Sequence, residues 1–301
     1  MLFKVAEMYY DMEFNLADIA SRIGVTSMTV SRLLKKAKEK GIVQISIRAP
    51  YEISRQFETR LKNKYGLRNV TVVKSNGADI EQQVYQAAAI LFDLMITGGM
   101  TVGIGGGIAI SNIVEYMPER LVPELHLIQM VGGFQTTGHR NAYDVLQRLS
   151  QKLGAIGCYF PAPIFVRDAS MRDSLFQEVY VGSELDQKVK KCSLALSGVG
   201  PVDGHTIYMM SGLIQPEEME TIKKAGGVGD IYGHFFNERG ELIDHPVHQR
   251  LMAVPFEDLK KIKEFILVGG GPERVKGIKA ALRIGMVTAL VTDYQTAAEL
   301  L

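Results

Sequence analysis

The sequence predicts a two-part α/β protein: a winged helix-turn-helix over residues 1–50, followed by a doubly wound, mainly parallel α/β domain over 51–301. Three observations predict it. Residues 16–40 read as two short amphipathic helices around a glycine turn, the second rich in lysine. From residue 67 onward, short apolar runs alternate with helical segments, and several of those runs end in glycine clusters.

A first helix is expected over residues 3–10, supplying Val5, Ala6 and Tyr9 or Tyr10 as packing partners. In the next, Leu16, Ile19, Ala20 and Ile23 fall on one face, Asn15 is the expected N-cap and Gly24 the stop. Val25 is expected to be the buried turn residue and Ser27 the cap of the second helix, where Val30, Leu33 and Leu34 continue the apolar stripe. The remaining face can present Ser27, Met28, Thr29, Ser31, Arg32, Lys35 and Lys36 to duplex DNA, the early residues near base edges and the later cations near phosphates. Between Arg22 and Arg48 seven cations face Glu39 alone, about +6, while the whole chain is formally only +1. The charge is therefore a patch. After Gly41, Val43, Ile45 and Ile47 alternate with Gln44, Ser46 and Arg48, as a half-buried strand beginning a wing would.

About 250 residues follow the first fifty, enough for one large α/β domain. No apolar run reaches the roughly 18–20 residues of a spanning helix, and residues 1–30 lack signal-peptide design, so no membrane is expected and the cytoplasm is. Cys158 and Cys192 are solitary, which suits reduced thiols rather than structural zinc.

The domain boundary is placed near Ala49 and Pro50. A charged helix is expected over 51–65, its stripe of Ile53, Phe57 and Leu61 packing on the large domain or meeting a symmetry mate. Strands are expected at 70–73, 101–104, 125–131, 194–199, 265–269 and 288–293, and helices at 80–96, 108–117, 141–153, 216–225, 273–284 and 295–301. The glycines follow the strands: Gly103 and Gly105–Gly107, Gly132 and Gly133, Gly198 and Gly200, then Gly269–Gly271. In an open parallel sheet the ligand crevice lies beyond the strands' carboxyl ends, and free N–H groups at a following helix start favour an anion, so a phosphorylated small molecule fits. GIGGGIAI is neither a Walker A loop nor a dinucleotide fingerprint.

The motifs DIASRIGVTSMTVSRLLKKAKEKGIVQI, TVGIGGGIAISNIVEYM, PAPIFV, SLALSGVG, AGGVGDIYGHFFNERGE and ILVGGGPERVKGIKAALRIGMVTALVTDYQTAAELL together resemble the SorC family of bacterial sugar-binding transcriptional regulators, over nearly the whole chain. That resemblance implies a winged helix-turn-helix joined to an effector domain similar to glucosamine-6-phosphate deaminase and ribose-5-phosphate isomerase, without their catalysis. It also implies a phosphosugar effector and a tetramer. The family's first sugar-phosphate loop falls on Gly105, Gly106 and Gly107, but Ile108 and Ala109 stand where members carry a hydroxyl, leaving Ser111 the nearest one. The second loop, 132–141, offers Gln135, Thr136, Thr137, His139, Arg140 and Asn141, with Arg140 favoured as a bidentate anion contact. Asp230 matches an acidic position that contacts sugar hydroxyls in the family, a helix-start cap being the alternative. Arg274, or Lys276 beside it, matches a basic sugar-phosphate contact.

His205, His234, His245 and His248 have no spacing that completes a ligand set, so neither metal nor cofactor is expected. The reading is a regulator, not an enzyme: it binds double-stranded operator DNA as a dimer or tetramer and responds allosterically to a sugar or sugar phosphate. Half-sites would lie about 34 Å apart or multiples of that. A sugar-phosphate isomerase or deaminase with an appended DNA-binding head is the alternative, and a ligand-free DNA-organising protein a third.

Overall fold

Alternating patches of apolar sequence build two hydrophobic cores on one sheet and a third, separate core in the amino-terminal segment. The structure is a computed structural model that describes residues 1–43, 52–74, 79–134, 140–204 and 206–301. The chain divides into two units, Met1–Pro50 and Tyr51–Leu301.

In the first unit, α1 (Leu2–Tyr10), α2 (Leu16–Ile23) and α3 (Ser27–Glu39) bury Val5, Ala6, Met8, Ile19, Ala20, Val30, Leu34 and Ala37 together. The aromatic partners expected from α1 are replaced by Met8, because Tyr9 and Tyr10 point outward, 37% and 40% exposed. Asn15 caps α2 by accepting from the Ala17 and Asp18 N–H groups, and Gly24 ends it in the left-handed conformation that glycine adopts without strain. The expected cap of α3 moves back by one residue: Thr26 accepts from Thr29 N–H, and Ser27 is the first helical residue. Val25 is half-buried against this core. The expected wing strand, apart from Val43, lies outside the described residues.

The second unit centres on an eight-stranded sheet of order β1 (Glu52–Ile53), β2 (Asn69–Lys74), β10 (Ala289–Asp293), β9 (Glu264–Val268), β6 (Leu194–Gly198), β3 (Thr101–Ile104), β4 (His126–Gln129) and β5 (Ile156–Cys158). Only the β1–β2 pairing is antiparallel. Residues in these strands alternate between cores: Val72, Ala195, Leu267 and Leu290 face one, and Val73, Leu196, Ile266 and Val291 the other. That is how a sheet covered on both faces reads. The helices are α4 (Arg55–Tyr65), α5 (Ile80–Met95), α6 (Ile108–Tyr116), α7 (Ala142–Leu153), α8 (Ala169–Val179), α9 (Glu184–Val189), α10 (Ile207–Met210), α11 (Pro216–Lys224), α12 (Phe256–Leu259), α13 (Val275–Ile284) and α14 (Tyr294–Leu300). A separate hairpin pairs β7 (Gly229–Ile231) with β8 (His234–Phe236).

All six expected strands and all six expected helices downstream of residue 67 are present, with ends shifted by a few residues. The helix expected over 51–65 starts four residues later. Ile53 lies in β1 and is 41% exposed, whereas Leu61 is buried in the sheet's core, so α4 docks on its own domain. Strands β1, β5, β7 and β8 and helices α8, α9, α10 and α12 are additional to the sequence reading. No described helix is long and apolar enough to cross a membrane.

Candidate effector-binding cleft

The chain order of the strands locates the site. From the adjacent strands β3 and β6 the connections run in opposite directions, β3 to β4 and β5, β6 to β9 and β10. The crevice beyond the carboxyl ends of two such strands is where open α/β sheets bind ligands. Here it is a cleft with about 750 Å³ of atom-free space, its open mouth included, walled by Gly106–Ile110 after β3 and Ser197–Pro201 at the end of β6. Tyr85, Phe134, Ile164, Thr206, Tyr208, Asp230 and Arg274 complete much of the lining. A second hollow lies along Gly269–Arg274 and Asp293, sharing Tyr85, Ala109, Val199 and Arg274 with the first.

Gly107, at φ 104°, turns the chain from β3 into α6, and its N–H donates to the Arg140 carbonyl at 2.8 Å. The start of α6 has no side-chain cap and no acidic residue in its first turn. Its first N–H groups, those of Ile108, Ala109 and Ile110, thus lack a side-chain cap at the positive end of the helix dipole, and all three residues line the cleft. Neighbouring α5 and α7 are closed by Asp79 and Asn141.

Opposite stands Asp230 on β7, 3% exposed. Its Oδ2 accepts from Tyr208 Oη at 3.0 Å and Gly233 N–H at 2.9 Å, while Oδ1 has no hydrogen-bond partner among the described residues. Burial pushes the carboxyl up to about 6, an effect the two donors only partly offset. Burial also holds the Tyr208 phenol well above its ordinary 10, so it stays a neutral donor. The hairpin carrying Asp230 turns through Tyr232, a non-glycine residue at φ 54°. The Tyr232 hydroxyl donates to Leu196 O at 2.9 Å, and its ring lies where a side chain at Gly105 would be. This wedge fixes Asp230 against β3 and β6.

Residues 49–301 match the protein family described as "Putative sugar-binding domain". The chain belongs to this family. It is 30% identical over 287 residues to the erythritol catabolism regulatory protein of Brucella abortus, covering 94% of this chain and 90% of that one. It is 28% identical to the deoxyribonucleoside regulator of Bacillus subtilis, covering 98% and 95%. The crystal structure of the full-length sorbitol operon regulator of Klebsiella pneumoniae superposes with a TM-score of 0.74 at 26% identity, covering 99% of this chain and 97% of that one. The resemblance read from the motifs is thereby family membership, in the SorC group of sugar-responsive transcriptional regulators.

Within this SorC-type domain, the structure brings Gly106, Gly107, Asp230 and Arg274 to one cleft. Other expected contacts sit elsewhere. Gly105 packs under Tyr232. Ser111, a turn into α6, is buried and its Oγ lies 3.4 Å from Arg148 Nη1. Asn141 caps α7 and donates to Phe134 O at 2.6 Å, a structural duty that uses both ends of its amide. Arg140 contributes its carbonyl to the Gly107 turn and is not in the cleft lining. Gln135, Thr136, Thr137, His139 and His205 lie outside the described residues. Asp230 is on a strand, so the helix-cap alternative falls.

Arg274 lines both hollows, donates to Gly270 O at 3.0 Å and pairs with Glu273 and, at 3.7 Å, Glu81. Lys276 is exposed. The remaining histidines are structural. His234 Nε2 bonds Val254 O and its imidazole is pushed down to about 4 by burial. His248 accepts from Phe235 N–H, and His245 caps the 3-10 turn Pro246–Arg250. No cluster of three metal-capable side chains occurs among the described residues. Thr206 and Tyr208 were not among the expected site residues, because nothing in a lone Thr or Tyr marks it until the segment folds against Asp230.

Proposed function

We propose that the chain is a cytoplasmic transcriptional regulator whose residues 1–50 bind operator DNA and whose residues 51–301 bind a sugar or sugar-phosphate effector and hold a dimer or tetramer together. Family membership and the names of the relatives support the regulatory reading. The observation that carries the effector site is the pairing, in the lining of one cleft, of an uncapped helix start suited to an anion with an aspartate whose buried oxygen has no partner among the described residues. Main-chain N–H groups of α6 hold the anionic end, with Arg274 at the flank, and Asp230 accepts from a hydroxyl. The missing hydroxyl at positions 108 and 109 is then no obstacle, since backbone donors suffice.

For the DNA side, α3 buries Val30, Leu34 and Ala37 and leaves Met28, Ser31, Arg32, Lys35 and Lys36 exposed. Arg32 and the residues before it reach base edges, and Lys35 and Lys36 meet phosphates. Effector and operator are coupled through the oligomer, and about 1–3 kcal/mol of coupling shifts affinity roughly 5- to 150-fold, reciprocally. The test is fluorescence anisotropy on an operator selected from a random duplex pool. Arg32→Ala should cost about 1–3 kcal/mol and relax sequence preference, whereas Lys35→Ala should weaken all duplexes alike and lower the salt slope by about 1. No preference for any duplex over random DNA, with or without sugar phosphates, would sink the proposal.

A further inference from the structure

Among the described residues, the side chains of Ser150, Tyr180, Thr206, Asp230 and Thr292 carry buried oxygens with no hydrogen-bond partner. Those of Thr206 and Asp230 belong to residues lining the cleft, and the other three do not. Thr206 is 1% exposed and stands just before α10, in the position of a helix cap, yet its hydroxyl caps nothing. A buried hydroxyl left without a partner costs stability, and valine would fill the same volume without that cost. Two residues further on, Tyr208 donates to Asp230 Oδ2. The 206–208 segment therefore meets the aspartate through Tyr208, which occupies one carboxylate oxygen, while the other oxygen and the Thr206 hydroxyl, both buried and without a partner among the described residues, belong to residues that line the same cleft.

Resting on the effector reading above, we propose that Thr206 is a ligand contact which, with Asp230, recognises an un-ionised, hydroxyl-bearing end of the effector, so that the cleft takes polyols, sugars and their phosphates but rejects sugar acids. One ligand hydroxyl donates to Asp230 Oδ1, and another exchanges a hydrogen bond with Thr206 Oγ1, which can give or accept. A carboxylate in that place meets Asp230 with like charge. The cation among the described lining residues, Arg274, is already engaged by Gly270 O, Glu273 and Glu81. The surrounding wall of Val131, Ile164 and Ile207 offers a carboxylate no compensation.

The test uses the full-length protein, Thr206→Val and Thr206→Ser, with four- to six-carbon alditol and aldose phosphates and the aldonate phosphates of equal length as probes. Thermal melts are read first, then calorimetric titrations with any probe that stabilises. Without ligand, Thr206→Val should melt at or above the wild-type temperature. With the best alditol or aldose phosphate it should bind roughly 10-fold more weakly, while Thr206→Ser stays within about 2-fold. Aldonate phosphates should not stabilise the wild type. A fall of several degrees in the ligand-free melt of Thr206→Val, or unchanged affinity in that variant, overturns the role of Thr206 and leaves the effector reading standing. An aldonate phosphate that binds as well as its alditol overturns the chemical class. No binding of any probe to the wild type overturns the inference together with the effector reading it rests on.

Discussion

Two aspartates sit at the carboxyl ends of this sheet under a glycine each, and they are put to opposite use. A Cβ at Gly200 would lie 1.9 Å from Asp230 Oδ1, and one at Gly270 would lie 2.1 Å from Asp293 Oδ2. Asp293 is fully employed: Oδ1 accepts from Thr296 N–H at 2.8 Å, and Oδ2 from Thr296 Oγ1 at 2.6 Å and Gly271 N–H at 3.1 Å, capping α14 and pinning the glycine loop. Asp230 uses one oxygen, and the other, packed against Gly200, has no partner among the described residues. The same local device, a glycine admitting a carboxylate against the backbone, builds structure where both oxygens have donors and, in the proposed reading, a binding site where one does not. A buried acceptor without a partner is a standing cost, and a ligand hydroxyl that reached it would remove that cost.

The largest effects should come from filling the two glycines. Gly200→Ala and Gly270→Ala each force a carboxylate aside, at about 1–3 kcal/mol or more. Gly270→Ala should be the costlier, because Asp293 cannot move without releasing three hydrogen bonds, and chemical denaturation will read the difference. Gly200→Ala should abolish the response to sugar phosphates at a smaller loss of stability. Adding Asp230→Ala to it should restore stability but not ligand response, a non-additive pair that identifies the clash as the cause. Equal losses in both variants, unrelieved by Asp230→Ala, would dissolve the contrast.

The contrast was only half legible in the sequence. The six central strands could be read because runs such as Val70–Val73 and Leu194–Gly198 are predominantly apolar with residues of both faces buried, as strands covered on both sides are. Strand β5 could not, being three residues with a glycine in the middle and an exposed Ile156 at its start. The β7–β8 hairpin turns through Tyr232 and Gly233 rather than the usual Asn-Gly, so its turn signal is weak. Resemblance pointed to Asp230, but its free oxygen depends on Gly200 and Tyr208, tens of residues away, which no local pattern connects. Ser111 and Asn141 lie outside the cleft lining for a physical reason: hydroxyl and amide side chains near helix starts serve caps and neighbouring side chains as readily as ligands. The shift from Ser27 to Thr26 is the same ambiguity between two adjacent hydroxyls.

Asparagine separates the aspartates next, with opposite signs. Asp293→Asn replaces an acceptor by an amide donor against Thr296 or Gly271, so it should destabilise by about 1–3 kcal/mol. Asp230→Asn keeps an oxygen for Tyr208 and Gly233 and removes a charge whose burial nothing fully offsets, so near pH 8 the ligand-free protein should become more stable, by up to about 3 kcal/mol. The same change should eliminate the effector response. Destabilisation by both substitutions would mean that Asp230, too, is structural.

The finest test is how the Asp230→Asn advantage depends on pH. Burial raises the Asp230 carboxyl to about 6 from its ordinary 3.8, so between those values the native state holds a proton that the unfolded chain has released. Protonation therefore contributes stability that is present below about pH 4 and lost as pH rises through 6. His234 runs the other way: burial lowers it to about 4 from 6.5, and its contribution is present above 6.5 and lost as pH falls through 4. His248 is lowered as well. The opposing slopes overlap, so the wild-type stability curve alone mixes them, and only the difference between wild type and Asp230→Asn isolates the aspartate. That difference should be full above pH 6 and vanish near pH 4, by melts across the range. A ligand hydroxyl that donates to the ionised carboxylate favours the charged form, so sugar-phosphate affinity should rise between pH 5 and 7 in the wild type. A stability advantage that stays constant from pH 4 to 8 would place the aspartate's charge outside the energetics of the site, and its likeness to Asp293 would then be the truer description.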